Sequence, residues 1–143
     1  MGSADVDSQS SGGGGFMTHC GWNSCIEGAS AGMRMVTWPL FAEQFFNERL
    51  LVDVLGIGIA VGSMVCNNVV EERTFVSREQ VRKAVEEVMG GGKEADERRK
   101  RAREVAEMAR RAVEEGGSCY NGLSCLIQEL RVSRLVMQHC RIM

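Results

Sequence analysis

Residues Phe16–Gln44 read FMTHCGWNSCIEGASAGMRMVTWPLFAEQ, and this stretch decides the fold. It holds both tryptophans, the single proline and one of the two histidines of the chain. Its grammar is strand, turn, helix, strand, loop. Phe16-Met17-Thr18-His19 is short and rich in β-formers. Cys20–Ser24 then turns, with Gly21 expected to take backbone angles that other residues avoid. Ser24–Ala31 suits a short helix with Gly32 at its C′ position. Met33–Trp38 is a second apolar strand, stopped by Pro39. A strand that feeds a helix through a tight turn aims the orphan N–H groups of the first helical turn above the strand end. The pattern therefore predicts an α/β fold with a parallel sheet and an anion site at a helix mouth, phosphate being the commonest ligand.

Several side chains converge on that mouth. His19 ends the strand, where it can donate to a phosphate. Asn23 and Ser24 bring amide and hydroxyl donors. Glu27, one turn into the helix, can accept two vicinal hydroxyls. After the second strand, Glu43-Gln44 pairs a carboxylate with an amide that both donates and accepts. The set fits a diphosphate bonded to sugars. Each residue also has a purely structural reading. Ser24 and Glu27 satisfy S-x-x-E, a capping box that needs no ligand. Trp22 and Trp38 can simply pack. Glu43 and Gln44 can form the first turn of a helix, where an acid is favoured by the dipole.

THCGWNS, then Glu27, Gly32, MVTWP and AEQF together resemble the carboxy-terminal signature of the plant-type UDP-dependent glycosyltransferases. Similarity continues more loosely through NERLLVDVLGIGIAVG and FVSREQVRKAVEEVM to about Arg134. The resemblance implies a Rossmann-like sheet with flanking helices, the C-terminal half of a two-domain (GT-B) glycosyltransferase truncated at its N-terminus. It implies that His19 meets the diphosphate and that Trp22, Asn23 and Ser24 line phosphates and sugar. Glu27 would bind the ribose hydroxyls, and Glu43 and Gln44 the transferred hexose, with Gln44 associated with a glucose donor. The family's upstream Trp-Ala-Pro-Gln segment, whose tryptophan stacks on uracil, has no counterpart, since MGSADVDSQSSGGGG occupies that ground. Arg34 stands where the family has proline, and Cys25 where threonine is common. The amino-terminal half, which holds the acceptor pocket, the base that deprotonates the acceptor and its aspartate partner, is not recognised. No catalytic residue is therefore assigned in this chain.

Length and composition set bounds on other classes. The chain has 143 residues, 44% apolar and 25% charged, which is globular rather than disordered. A formal net charge of −2 gives no reason to expect nucleic acid or an anionic membrane. No apolar run reaches transmembrane length, and no signal peptide is visible, so a cytoplasmic protein is expected. The six cysteines include no C-x-x-C pair and are expected as free buried thiols. His19, Cys20 and Cys25 fit no zinc spacing, so no metal is expected.

Residues 1–15 read as a flexible Gly/Ser-rich tail, residues 16–117 as a partial donor-binding domain, and residues 118–143 as a C-terminal helix and tail. Glu43–Leu55 is expected as an amphipathic helix with Phe46, Leu50 and Val54 spaced along one face and Glu48, Arg49 and Asp53 off it. Gly56–Gly62 is expected as a buried strand and Ser63–Thr74 as a polar loop. Ser77 and Gln80 form a capping box for a helix whose inner face is Val81, Val85, Val88 and Met89. Gly90–Gly92 ends it. Lys93–Glu115 is a long charged helix, and its basic run Arg98–Arg103 reads as a solvated face because glutamates interleave and no aromatics accompany it. A last helix is expected from Ser118 to about Arg131, with Leu123, Leu126, Ile127 and Leu130 on one side.

The function implied by the resemblance is transfer of a hexose, expected to be glucose, from a UDP-sugar to a hydroxyl of a small lipophilic acceptor such as a phenolic or other secondary metabolite. The UDP-sugar is donor substrate, and no cofactor is expected. Two alternatives stand beside it. One is an inactive fragment that only binds a nucleotide sugar. The other is a different Rossmann-type nucleotide-binding domain, against which the lack of a G-x-G-x-x-G turn counts.

Overall fold

The computed structural model describes residues 14–63 and 75–140. The expected loop at Ser63–Thr74, apart from Ser63, and all but the last two residues of the 1–15 tail lie outside that range. The elements are β1 (Gly15–Thr18), α1 (Trp22–Ser30), β2 (Arg34–Thr37), α2 (Gln44–Arg49), a π-helical turn (Leu50–Val54), β3 (Gly58–Ala60), α3 (Arg78–Met89), α4 (Lys93–Val113) and α5 (Ser118–Cys140). By compactness the chain divides into two units, residues 1–106 and 107–143.

The first unit is built on a parallel sheet of three strands in the order β1-β2-β3. Phe16 pairs with Met35 and Thr18 with Thr37; Met35 pairs with Gly58 and Thr37 with Ala60. Every residue of the central strand β2 is buried. Alternation along a strand sends neighbouring side chains to opposite faces, and a parallel sheet is covered on both. Met35 accordingly joins one core with Cys20, Cys25, Leu51, Ile57 and Ala102. Val36 joins the other, with Ile59, Val61, Ala84 and Val88. The fold is the expected α/β arrangement, a Rossmann-like parallel sheet with flanking helices.

Two glycines set the fit of α1. A Cβ at Gly28 would stand 2.8 Å from Met35 Sδ and 3.1 Å from Phe16 Cδ1, so this helix lies directly on the sheet. Gly32, with φ +69°, closes the helix in the left-handed conformation expected of a C′ residue.

Helix α2 differs from expectation. Phe46 and Val54 are 75% and 73% exposed, whereas Leu51 is 1% exposed and Gln44 buried. The inner face is Gln44, Asn47, Glu48 and Leu51, at helical spacing but mostly polar. Its polar groups have partners, which is why they can face inward (next subsection). The apolar stripe Phe46/Leu50/Val54 lies on the other side. The buried strand is also shorter than expected, Gly58–Ala60, between turns at Gly56 (φ +62°) and Gly62 (φ +92°).

The Ser77–Gln80 capping box forms as expected, with Ser77 N–H donating to Gln80 Oε1 at 2.9 Å and Gln80 N–H to Ser77 Oγ at 3.3 Å. The inner face of α3 is Ala84 and Val88; Val85 and Met89 are exposed, because the face is set by the small Ala84 against the sheet. Arg34, buried at the start of β2, donates to the Val88 carbonyl, and Arg99 donates to the Gly90 carbonyl at 2.6 Å. Both guanidinium groups thus hold the C-terminal carbonyls of α3, where positive charge is favoured. Burial, reinforced by Arg99 and Arg98, pulls the Arg34 pKa below its ordinary value. The basic run on α4 is met by acids: Arg98 by Glu87 at 3.4 Å, Arg99 by Asp96 at 2.5 Å and Lys100 by Glu104 at 3.9 Å.

In the second unit α5 continues to Cys140, past the expected end near Arg131. Leu123, Leu126, Ile127 and Leu130 are exposed, as is Tyr120. Asn121 ties the helix start back by donating to the Gly116 carbonyl at 2.9 Å. Among the described residues no helix is long and apolar enough to cross a membrane.

The burial pattern of α2 is testable by chemical denaturation. Leu51→Ala is expected to cost ~2–5 kcal/mol, since a fully buried side chain leaves a cavity. Phe46→Ala is expected to stay within ~0.5 kcal/mol of the parent. The reverse order would place the apolar stripe inside.

Candidate functional site

The seven residues named from sequence are positioned by three adjoining segments at the carboxyl edge of the sheet, the edge at which open α/β sheets bind ligands. His19 follows β1. Trp22, Asn23, Ser24 and Glu27 lie on α1. Glu43 and Gln44 start α2, which follows β2. The strand ends are joined beyond their ladder, with Trp38 N–H donating to the Thr18 carbonyl at 2.9 Å.

The turn between β1 and α1 is built differently from expectation. Cys20, not Gly21, takes the left-handed conformation, with φ +65°. Gly21 is extended (φ −61°, ψ 142°) and serves as N-cap. What position 21 requires is space: a Cβ there would lie 2.5 Å from His19 Nε2, so the imidazole folds over this residue at the mouth of α1. Cys20 N–H donates to Thr18 Oγ1 at 3.0 Å. The Cys20 carbonyl accepts from Asn47 Nδ2 at 2.9 Å.

Helix α1 begins at Trp22, two residues earlier than the sequence suggests, and has no side-chain cap. Its first backbone bond is Cys25 N–H to the Gly21 carbonyl, 3.0 Å. The N–H groups of Trp22, Asn23 and Ser24 are therefore those that a helix start cannot pair internally. Because Ser24 is inside the helix, the Ser24–Glu27 capping box does not form. Asn23 and Glu27, four residues apart, share one side of the helix, and both are exposed. Trp22 is 52% exposed and thus available as a surface rather than as core.

Glu43 is exposed and is the N-cap of α2 without a side-chain cap bond. Gln44 is turned inward. Its Oε1 accepts from Leu40 N–H at 2.9 Å and from Phe41 N–H at 3.2 Å, so its oxygen orders the loop and its role as a second acceptor is already filled. Phe41 and Leu40 are thereby held in a turn that passes through Ala42 at φ +54°.

Three further residues, which sequence pattern does not single out, support this edge. Besides Asn47, Thr37 Oγ1 donates to Glu48 Oε2 at 2.6 Å, fastening α2 to the end of β2. Their sequence signal is the polar spacing Gln44-Asn47-Glu48 between aromatics, which a search for apolar stripes passes over. Burial raises the Glu48 carboxyl above the ordinary range, the Thr37 bond opposes this, and Asp53 adds to it. Burial pushes the Cys20 thiol up to about 12, with Cys25 and Glu48 adding to it. Burial raises Cys25 as well. Of the six cysteines expected to be buried, these two are, Cys119 and Cys125 are exposed on α5, and Cys66 and the side chain of Cys140 lie outside the described residues. Among the described residues no three His, Cys, Asp or Glu side chains are grouped as a metal ion would require. A surface hollow lined by Lys93, Asp96, Glu97 and Lys100 contains none of the seven residues.

Two measurements check these environments. Under native conditions a thiol reagent with mass mapping is expected to label Cys119 and Cys125 and to spare Cys20 and Cys25 until the chain unfolds. Labelling of Cys20 in the folded protein would contradict its burial. For Glu48, a folded pKa above the unfolded value of about 4.3 means that folding favours the protonated form. Its contribution to stability is then present at pH below about 4.3 and is lost as pH rises through the higher folded value. Glu48→Gln keeps an acceptor for Thr37 and is expected to flatten that part of the stability-against-pH curve. An unchanged curve would remove Glu48 as its source.

Residues 12–95 match the family described as UDP-glucoronosyl and UDP-glucosyl transferase. The chain is 57% identical over 117 residues to UDP-glycosyltransferase 73B4 of Arabidopsis thaliana, covering 82% of itself and 23% of that protein. It is 55% identical over 118 residues to anthocyanidin 3-O-glucosyltransferase 4 of Manihot esculenta, covering 80% of itself and 49% of that protein. Among solved structures it resembles UGT73P12 of Glycyrrhiza uralensis, complexed with glycyrrhetinic acid 3-O-monoglucuronide. There the TM-score is 0.83 at 43% identity, over 91% of this chain and 27% of that one. It also resembles UGT71G1 of Medicago truncatula, complexed with UDP-glucose, with a TM-score of 0.70 at 33% identity over 81% of this chain and 24% of that one. The chain thus spans about a quarter to a half of the length of these relatives. A strand-turn-helix edge bearing His19, Trp22, Asn23, Ser24 and Glu27, a second edge helix opening on Glu43-Gln44, and a family match across more than half of the sequence lead to one conclusion: the chain belongs to the UDP-glucoronosyl and UDP-glucosyl transferase family.

Proposed function

We propose that this chain carries the donor-binding site of a plant-type UDP-glycosyltransferase. The reaction is transfer of a hexose, glucose in our reading, from a UDP-sugar to a hydroxyl of a small lipophilic acceptor, with inversion at the anomeric carbon. The observation that carries the reading is the uncapped start of α1, with His19 folded over Gly21 at its mouth. Free N–H groups at a helix start attract a diphosphate. The names of relatives that are glucosyltransferases or are bound to UDP-glucose favour the same ligand.

In this scheme the diphosphate sits at the α1 mouth, met by His19, by the N–H groups of Trp22, Asn23 and Ser24, and by the Ser24 hydroxyl. Glu27 accepts the ribose hydroxyls. Glu43 accepts from the hexose, and Gln44, its oxygen held by the loop, donates through its amide. As the glycosidic bond breaks, charge grows on the departing diphosphate. Fixed donors and the helix end then stabilise that charge more than the ground state. No cofactor or metal enters the scheme. The group that takes the acceptor proton, and the acceptor pocket, belong to the part of the family's length that this chain does not span. We place the protein in the cytoplasm.

Calorimetric titration with UDP-glucose, UDP and NADH tests the donor site. Binding of UDP-glucose and UDP but not NADH is expected. Trp22→Ala and Glu27→Ala are expected to weaken UDP-glucose roughly tenfold, about 1.4 kcal/mol, with little change in unfolding because both side chains are exposed. Equal affinities for parent and variants would remove these residues from the site. Turnover of UDP-glucose with a phenolic acceptor separates transfer from binding alone.

A further inference from the structure

We infer that Asn47, a residue outside the donor-binding set, is a positioning residue that couples the diphosphate end of the site to the hexose end; the inference rests on the donor-binding reading above. Cys20 adopts a left-handed conformation, which a non-glycine residue keeps only when its surroundings hold it. Three restraints act on it. Its side chain is fully buried. Its N–H is taken by Thr18 Oγ1 at 3.0 Å. Its carbonyl accepts from Asn47 Nδ2 at 2.9 Å. The first two restraints come from the β1 end and its core; the third comes from α2.

That third bond has consequences at both of its ends. On one side it ties α2 to the residue between His19 and the N-cap Gly21, whose turn Thr18 and the core hold independently. On the other side, Asn47 lies one turn beyond Gln44 on the inner face of α2. Glu48, next to it, is held by Thr37 at 2.6 Å, so this turn of helix is anchored to β2 as well as to the Cys20 turn. Gln44 in turn orders Leu40 and Phe41. Asn47 thus sets the separation between the donors for a phosphate and the groups for a hexose. A ligand that touches only the first set does not depend on that separation. A ligand that spans both sets does.

The test is calorimetric titration of UDP and UDP-glucose into the parent chain, Asn47→Ala and Asn47→Asp. The aspartate has the same shape but no donor for the Cys20 carbonyl. In the parent, UDP-glucose is expected to bind more tightly than UDP. In both variants that advantage is expected to shrink about fivefold, the effect of one hydrogen bond. UDP itself is expected to stay within about twofold. A residue that only stabilises the fold would instead lower both affinities by the same factor, leaving the ratio intact, and that result would overturn the inference. Loss of the folded circular dichroism spectrum in both variants would overturn it too, in favour of a role in folding. A parent chain that binds UDP but gains nothing from the glucose would overturn the coupling and leave the diphosphate end standing. A parent that binds neither would overturn the donor-binding reading itself.

Discussion

Thr18 is the residue on which the carboxyl edge of the sheet depends. It is buried at the last position of β1, and three backbone segments meet on it. Its carbonyl accepts from Trp38 N–H at 2.9 Å, carrying the parallel pairing one step beyond β2. Its hydroxyl accepts from Cys20 N–H at 3.0 Å and so starts the turn into α1. A residue with no oxygen on its β-carbon would leave that N–H buried without a partner. The path of the chain into the helix mouth is therefore set by a side chain inside the strand, before the turn begins.

Behind this edge the energetics are those of a small, two-sided core. Met35 and Val36, neighbours in β2, serve opposite faces, and each face gathers mostly small or branched side chains. Gly28 brings α1 close to the sheet, and Ala102 lets α4 approach Gly32, rather than filling space with large groups. The ion pairs of α3 and α4 are mostly exposed and contribute little individually. Apolar burial and the pairing of inward polar groups carry the stability, Thr37, Glu48 and Gln44 being among the groups so paired.

The parallel arrangement was legible because its signals are local: β-formers ending at a glycine turn, a helix closed by Gly32, a strand ended by Pro39, and a capping box at Ser77. The errors also share a cause. The start of α1 moved because Gly21 caps without a side chain and so leaves no mark of the Ser/Asp type. Glycine is the usual left-handed residue, whereas here Cys20 holds that conformation through bonds to residues two and twenty-seven positions away. Apolar spacing alone does not give the face of α2: polar residues can turn inward where Leu40, Phe41, Cys20 and Thr37 supply partners, and Cys20 and Thr37 lie well away in sequence. Exposed Cys119 and Cys125 follow from the lack of cover on α5, which no local pattern states. The seven candidate residues stand at one edge of the sheet, as their spacing suggests; that the loop takes up the Gln44 oxygen is not visible in that spacing.

The π-helical turn at Leu50–Val54 has a further consequence for motion. Leu55 N–H donates to the Leu50 carbonyl at 2.8 Å and Ile57 N–H to the Leu51 carbonyl at 2.9 Å. The Ile57 carbonyl in turn accepts from Met35 N–H at 2.9 Å. The far end of α2 is thus welded through β3 to the middle of the sheet, while Gln44, Asn47 and Glu48 pin its near end. A segment fastened along its whole length offers no free hinge about which it could turn. Helix α2 is a fixed wall, and any ligand at this edge must conform to its shape rather than be enclosed by its movement.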